Sequence, residues 1–141
     1  MKGIIQPLKR YADFNGRASR GEFWTFLIFV TVFTFAAHQI DAMRGERVAI
    51  AMNMGIFELS ITLILLLPTV TVGVRRLHDM GRSGWWMMLI YLPWLATLAS
   101  GDNPSLTLVA AGALLLGGIS WIVMMLLPGE AGENAYGMPP A

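Results

Sequence analysis

The run V-R-R-L-H-D-M-G-R-S-G-W-W, Val74 to Trp86, decides the fold, because it packs three arginines, a histidine and an aspartate between two long, nearly uncharged segments. Charged side chains beside a bilayer stand where they can reach water, headgroups or one another. The run therefore marks a membrane boundary with an apolar helix on each side. Composition agrees: of 141 residues, 55% are hydrophobic and 13% charged, and mean hydropathy is +0.58, well outside the range of soluble domains. The chain reads as an integral membrane protein. A net charge of +1, with no basic run away from the membrane flanks, gives no footing for nucleic-acid binding. The lack of cysteine removes disulfides, Cys-based zinc sites and thiol chemistry.

Working outward, the chain divides into four apolar spans. Ile56 to Val74 makes the second, with Glu58 in its first turn, where a carboxylate suits the helix dipole and reaches the headgroups. Pro68 lies inside it as a kink whose freed carbonyl a threonine or water can satisfy. Phe23 to Ile40 makes the first, near the lower limit for crossing a hydrocarbon core of roughly 30 Å. His38 and Asp41 fall at its far end, as interfacial groups in contact with water. A mixed loop, Asp41 to Gly55, follows, with a turn of surface helix expected in Val48 to Met54. Ahead of the first span, Ser19-Arg20-Gly21-Glu22 has the spacing of a capping box, Ser19 accepting from a first-turn N–H and Glu22 reaching back.

On the other side, the third span runs from Trp85 to Ser100, short and interrupted by Pro93. The fourth runs from Leu106 to Leu127, where Ala113 and Gly117, widened by Gly112 and Gly118, offer a small-residue face for close helix packing. In the N-terminal arm, Ile4, Ile5, Leu8, Tyr11 and Ala12 alternate with Lys2, Lys9, Arg10 and Asp13, the pattern of a short helix lying in the interface. The expected fold is all-α: a single membrane domain over 1–141, a four-helix transmembrane bundle with spans at 23–40, 56–74, 85–100 and 106–127. An interfacial arm, 1–21, precedes it and a tail, 128–141, follows.

Basic residues set the orientation. Lys2, Lys9, Arg10, Arg17 and Arg20 lie in the arm and Arg75, Arg76 and Arg82 in the central loop, against Arg44 and Arg47 in the first loop. That asymmetry puts the arm, the central loop and, after four spans, the tail on the cytoplasmic side. The tail is acidic, and attraction of Glu130 and Glu133 to the basic loop is weak between solvated groups.

Three blocks then carry a resemblance: Gly16-Arg17-Ala18-Ser19-Arg20-Gly21-Glu22-Phe23-Trp24, the run from Arg75 to Trp86, and Pro128-Gly129 followed by Gly132-Glu133-Asn134-Ala135-Tyr136-Gly137. In this order they resemble the signature blocks of the domain-of-unknown-function 805 family, small bacterial inner-membrane proteins of the YhaH type. The resemblance covers nearly the whole chain. It implies a four-helix inner-membrane protein with no assigned activity. Ala135 departs from the pattern, standing where a basic residue is expected, which removes any ionic role there.

The second helix, continued past Val74, sets Arg75 and Asp79 one turn apart with Arg76 on an adjacent face; Gly81 ends it and Ser83 caps the third. Read as architecture alone, the arginines anchor to phosphates, His78 and Asp79 form a local pair, and Trp85 and Trp86 join the aromatic belt. A sharper reading matches Gly16-Arg17, Ser19, Gly21 and Trp24 to Gly81-Arg82, Ser83, Gly84 and Trp85-Trp86 as a short parallel repeat. Arg17, Arg20, Glu22, Arg75, Arg76, His78, Asp79, Arg82, Trp85 and Trp86 then make one cytoplasmic face. Two acids are too few for its guanidinium groups, which leaves a place for an external anion such as a lipid phosphate.

Two functions of different kind stay open. One is a non-enzymatic envelope component that binds anionic lipid headgroups, a partner protein or a second copy at its cytoplasmic face. The other is an enzyme or carrier for a phosphate-bearing lipid, with His78 as general acid or base, Asp79 or Glu22 orienting it and the arginines holding the phosphate. No nucleophile motif and no paired intramembrane carboxylates stand in the sequence, so the first is preferred, with no cofactor and no metal.

Overall fold

The computed structural model describes residues 2–45, 48, 54–101 and 103–140. Its helices are α1 (Lys2–Lys9), α2 (Arg20–Arg44), α3 (Ile56–Asp79), α4 (Met88–Ala99) and α5 (Pro104–Leu126), with a 3-10 turn, Gly84–Met87, leading into α4. Helices α2, α3 and α5 are long and apolar enough to cross a membrane, and Gly84–Ala99 is a shorter apolar segment. The third expected span is thus a 3-10 turn plus a short helix. Helix α2 packs against α3, α4 against α5, and α1 lies across α2 and α3.

The helix ends explain where these elements start and stop. Ser19 Oγ accepts from Glu22 N at 3.1 Å and starts α2 three residues before the apolar run. Helix α2 then runs past Ile40 to Arg44, where Gly45 ends it in the left-handed region, and Asp41, expected in water, is fully buried. Gly55, at the N-cap of α3, has no side chain to offer the first-turn amides. The Asp41 carboxylate supplies the cap instead, accepting from Phe57 N at 3.2 Å and Glu58 N at 2.8 Å. A Cβ on Gly55 would lie 2.2 Å from Asp41 Cγ, so glycine lets the carboxylate come this close. Glu58 accepts from His38 Nδ1 at 2.8 Å, so it is paired within the protein. The surface turn expected at Val48 to Met54 falls largely outside the described residues.

The prolines inside α3 and α4 each free a carbonyl one turn back, and both carbonyls meet another element. Pro68 frees Ile64 O, which accepts from the Tyr11 hydroxyl of the arm rather than from a threonine or water. Pro93 frees Leu89 O, which faces Gly117 of α5 so closely that a Cβ there would lie 2.2 Å from the oxygen. Close backbone approach of this kind favours Cα–H···O contact between helices. Gly117 is therefore the working member of the small-residue face. Gly112 and Gly118 meet nothing within 4 Å, and Ala113 is exposed.

The arm differs from a free amphipathic helix. Gly3 sits against Thr25 of α2 and Pro7 is fully buried, while Ile5, Leu8, Tyr11 and Phe14 stay exposed. Beyond α1, Ala18 N donates to Arg75 O at 2.9 Å and Thr71 Oγ1 to Tyr11 O at 3.3 Å, laying the arm along the last turns of α3. The buried core, including Phe23, Phe26, Leu77, Met87, Trp121 and Met125, gathers mainly at the end of the bundle that carries arm and tail.

Candidate functional site

The same end holds the charged run that opened the sequence. Helix α3 continues through it to Asp79 and closes in a Schellman motif: Gly81 N donates to His78 O and Arg82 N to Leu77 O, both at 3.0 Å. Gly81 takes φ of +67°, which an L side chain would resist. The turn leaves Arg75, Arg76 and Asp79 on buried faces of α3.

Asp79 is the hub. Its Oδ1 accepts from Arg17 Nε at 2.9 Å and its Oδ2 from Arg76 Nη1. The partner across one helical turn is thus Arg76, and not Arg75 as the spacing suggested. Arg75 points the other way, with Nη2 2.9 Å from Glu22 Oε1. Glu22, expected to reach back to its own helix start, is drawn off by that buried guanidinium. Arg75 and Arg76 are completely buried and Arg17 nearly so, each beside a carboxylate. One buried charge left alone costs far more than an exposed one, so the two acids are committed.

Two acids do not match three guanidinium groups, and main-chain carbonyls of the tail and of the end of α5 make up the difference. Arg17 Nη1 donates to Gly132 O at 2.6 Å and Gly137 O at 3.2 Å, and its Nη2 to Glu130 O. Arg76 Nη2 donates to Met125 O at 3.3 Å and to Leu127 O, where α5 ends. Glu130 N returns a bond to Asp79 O at 2.9 Å, and a Cβ on Gly129 would lie 2.0 Å from Asp79 Oδ2. The Glu130 carboxylate instead accepts from Asn134 Nδ2 at 2.7 Å. The acidic tail is held by its backbone, where sequence reasoning looked to its charge. The glycines at 129, 132 and 137 were the available signal.

His78 is a packing residue here. Its ring stacks on Tyr136 with centroids 3.7 Å apart and planes 4° from parallel. Since a carbonyl can only accept, Nδ1 carries the proton that bridges 3.2 Å to Gly16 O. Asn134 Nδ2 also donates to His78 O at 3.0 Å, and Asn134 and Gly137 exchange main-chain bonds across a tight turn. Ala135 is exposed at that turn.

The remaining site residues lie on the rim. Arg20 is exposed, and its guanidinium donates to Leu126 O at 3.3 Å. Arg82 lies over the Trp86 ring at 4.7 Å, and Trp85 is 78% exposed. Ser83 takes an N-cap conformation but makes no side-chain cap bond, so the 3-10 turn begins uncapped. The two Gly-Arg blocks share backbone: Gly16 and Gly81 both have positive φ, and Ser19 and Ser83 are both extended. Their chemistry diverges, since Arg17 is buried on Asp79 while Arg82 stacks on an indole. No group of three or more His, Asp or Glu side chains that could hold a metal ion occurs among the described residues.

The sequence profile of the family described as "Protein of unknown function (DUF805)" matches residues 11–138, which takes in the arm, the arginine cluster and the tail. The chain belongs to the DUF805 family. "Inner membrane protein YhaH" of Escherichia coli (strain K12) is 30% identical, the match covering 99% of this chain and 97% of YhaH. "Inner membrane protein YhaI" of the same strain is 26% identical, covering 99% and 96%. "Uncharacterized protein YiiR", also of that strain, is 32% identical, covering 89% of this chain and 84% of YiiR. No solved structure matches. This DUF805 chain is an all-helical inner-membrane protein, and the three blocks that suggested its family meet in space around Asp79.

Proposed function

We propose that this DUF805 protein is a non-enzymatic inner-membrane component, with both termini cytoplasmic, whose cytoplasmic face binds anionic lipid headgroups. The observation that carries the reading is on the rim: Arg20 and Arg82 make no ion pair among the described residues, and Arg82 stands with Trp86 beside the exposed Trp85. Arginine and indole side by side suit the phosphate level of a bilayer. The arm adds an outward apolar edge of Ile5, Leu8, Tyr11 and Phe14 at the same end. Basic residues collected at that end support the orientation. His78, the candidate acid or base of an enzyme or carrier, is stacked against Tyr136 and bonded to a carbonyl, which counts against that second reading.

Native mass spectrometry with lipids retained tests the reading. Phosphatidylglycerol should be held over phosphatidylcholine, and Arg20→Ala with Arg82→Ala should remove that preference. Equal retention of the two lipids by the wild-type protein rejects it. A periplasm-active reporter fused at the C-terminus should stay silent, and strong activity overturns the orientation.

A further inference from the structure

We infer that Arg17 and Arg76, bridged by Asp79, form a second phosphate-class site, and that the tail, residues 128–140, occupies it as a displaceable strap. The inference rests on the headgroup reading above for the ligand chemistry but concerns different residues. The knot is unbalanced as it stands. Two guanidinium groups share one carboxylate, and their other bonds go to neutral carbonyls: Asp79 O and the strap's Glu130, Gly132 and Gly137 for Arg17, and Met125 and Leu127 at the end of α5 for Arg76. Arg76 Nε, buried beside them, has no acceptor at all. One positive charge is left over, and an ionised oxygen is roughly twice as good an acceptor for guanidinium as a neutral one. A phosphate mono- or diester brings several such oxygens at the spacing of the guanidinium fork.

The strap itself is built to leave. Most of its residues are exposed, and its carboxylates form no ion pair with the arginines. What holds it is main-chain bonding, the Asn134 side chain, and the His78–Tyr136 stack. Segments with few buried apolar contacts and exposed hydrogen bonds open at low cost. Displacing it would free three donors of Arg17 and open the Asp79 carboxylate that joins Arg17 to Arg76, without unpacking the core at this end of the bundle, to which no strap residue belongs.

The test uses the full chain, which has no cysteine and so accepts a single spin label at Met138→Cys. In vesicles of phosphatidylcholine the label should be restrained, and in vesicles containing phosphatidylglycerol it should become mobile. Adding inorganic phosphate to the phosphatidylcholine vesicles separates the sources: release there assigns a free phosphate, and release with phosphatidylglycerol alone assigns a headgroup. Loosening the strap with Asn134→Ala and Tyr136→Ala should tighten binding of the releasing anion about tenfold, and Arg17→Gln in that background should abolish the gain. A loosened, folded variant that binds neither anion better than wild type overturns the inference, while an intact wild-type preference lost on Arg20→Ala with Arg82→Ala leaves the rim reading standing. Should the loosened variant not fold, hydrogen exchange of the Glu130 and Gly137 amides in wild type decides: faster exchange with either anion supports the strap, and unchanged exchange overturns it.

Discussion

The Tyr11 hydroxyl of the arm donates to Ile64 O, the carbonyl that Pro68 leaves without an amide in its own helix. A kink and a terminal arm separated by more than fifty residues are therefore one structural unit. In apolar surroundings an orphaned carbonyl costs about 1–3 kcal/mol. Tyr11→Phe should destabilise the protein by about that amount, measured by unfolding in detergent. In a Pro68→Ala background the restored amide takes the carbonyl, and Tyr11→Phe should then cost little. Equal costs in the two backgrounds would show that the bond contributes nothing.

Asp79 is the charge on which the tail end depends. Asp79→Ala leaves Arg17 and Arg76 buried without their shared acid, and breaking such a network costs about 3–5 kcal/mol. Glu130→Gln should fall within about 0.5 kcal/mol, as for an ordinary surface change, because Glu130 engages Arg17 through its carbonyl. Thermal midpoints of the two variants, side by side, check the contrast.

Two glycines in α5 should respond in opposite directions. Gly117→Ala drives a methyl into Leu89 O and should cost about 1–3 kcal/mol through overpacking and separation of α4 from α5. Gly112→Ala meets open space and gains helix propensity, for a stabilisation of about 0.4–1 kcal/mol. Denaturation of both variants in one detergent gives the comparison, and similar effects would refute the close approach.

The arm carries an acid-sensitive clasp. Arg10 Nε donates to Asp13 Oδ2 at 2.8 Å and Asn15 N to Asp13 Oδ1 at 3.0 Å, and these bonds, the arginine's first, hold the Asp13 carboxyl below its ordinary 3.8. A lowered carboxylate pKa stabilises the fold fully above the unfolded value and loses its effect as pH falls through the folded one. Hydrogen exchange at Asn15 should therefore quicken as pH falls below 3.8, once corrected for intrinsic rates, and Asp13→Asn should remove that step. A step that persists in the variant assigns the opening to another group.

The helices were legible because apolar length and capping chemistry are local: Ser19 and Gly81 mark their ends within a few residues. What escaped was carried by groups that a sequence does not distinguish. Glu22 could serve its own helix or Arg75, and the choice turns on which neighbour is buried. Asp41 looked like a loop acid because its role, capping α3, depends on a glycine fourteen residues later. Backbone carbonyls are present at every position, so no residue type announced that three from the tail and two from the end of α5 would stand in for an anion. The sequence marks Pro68 as a kink and Pro93 as an interruption, but the groups that meet their freed carbonyls, Tyr11 and Gly117, lie on other elements and required the packing.

The ligands of the Asp79 knot lie at 17, 76, 79 and 125–137. During synthesis the knot cannot close until the last of these has left the ribosome. Before that moment Arg17 and Arg76 share one carboxylate with their set of carbonyls incomplete. A chain halted before Gly137 would thus display basic groups that the folded protein hides, and closure of the knot reports that synthesis has passed that point.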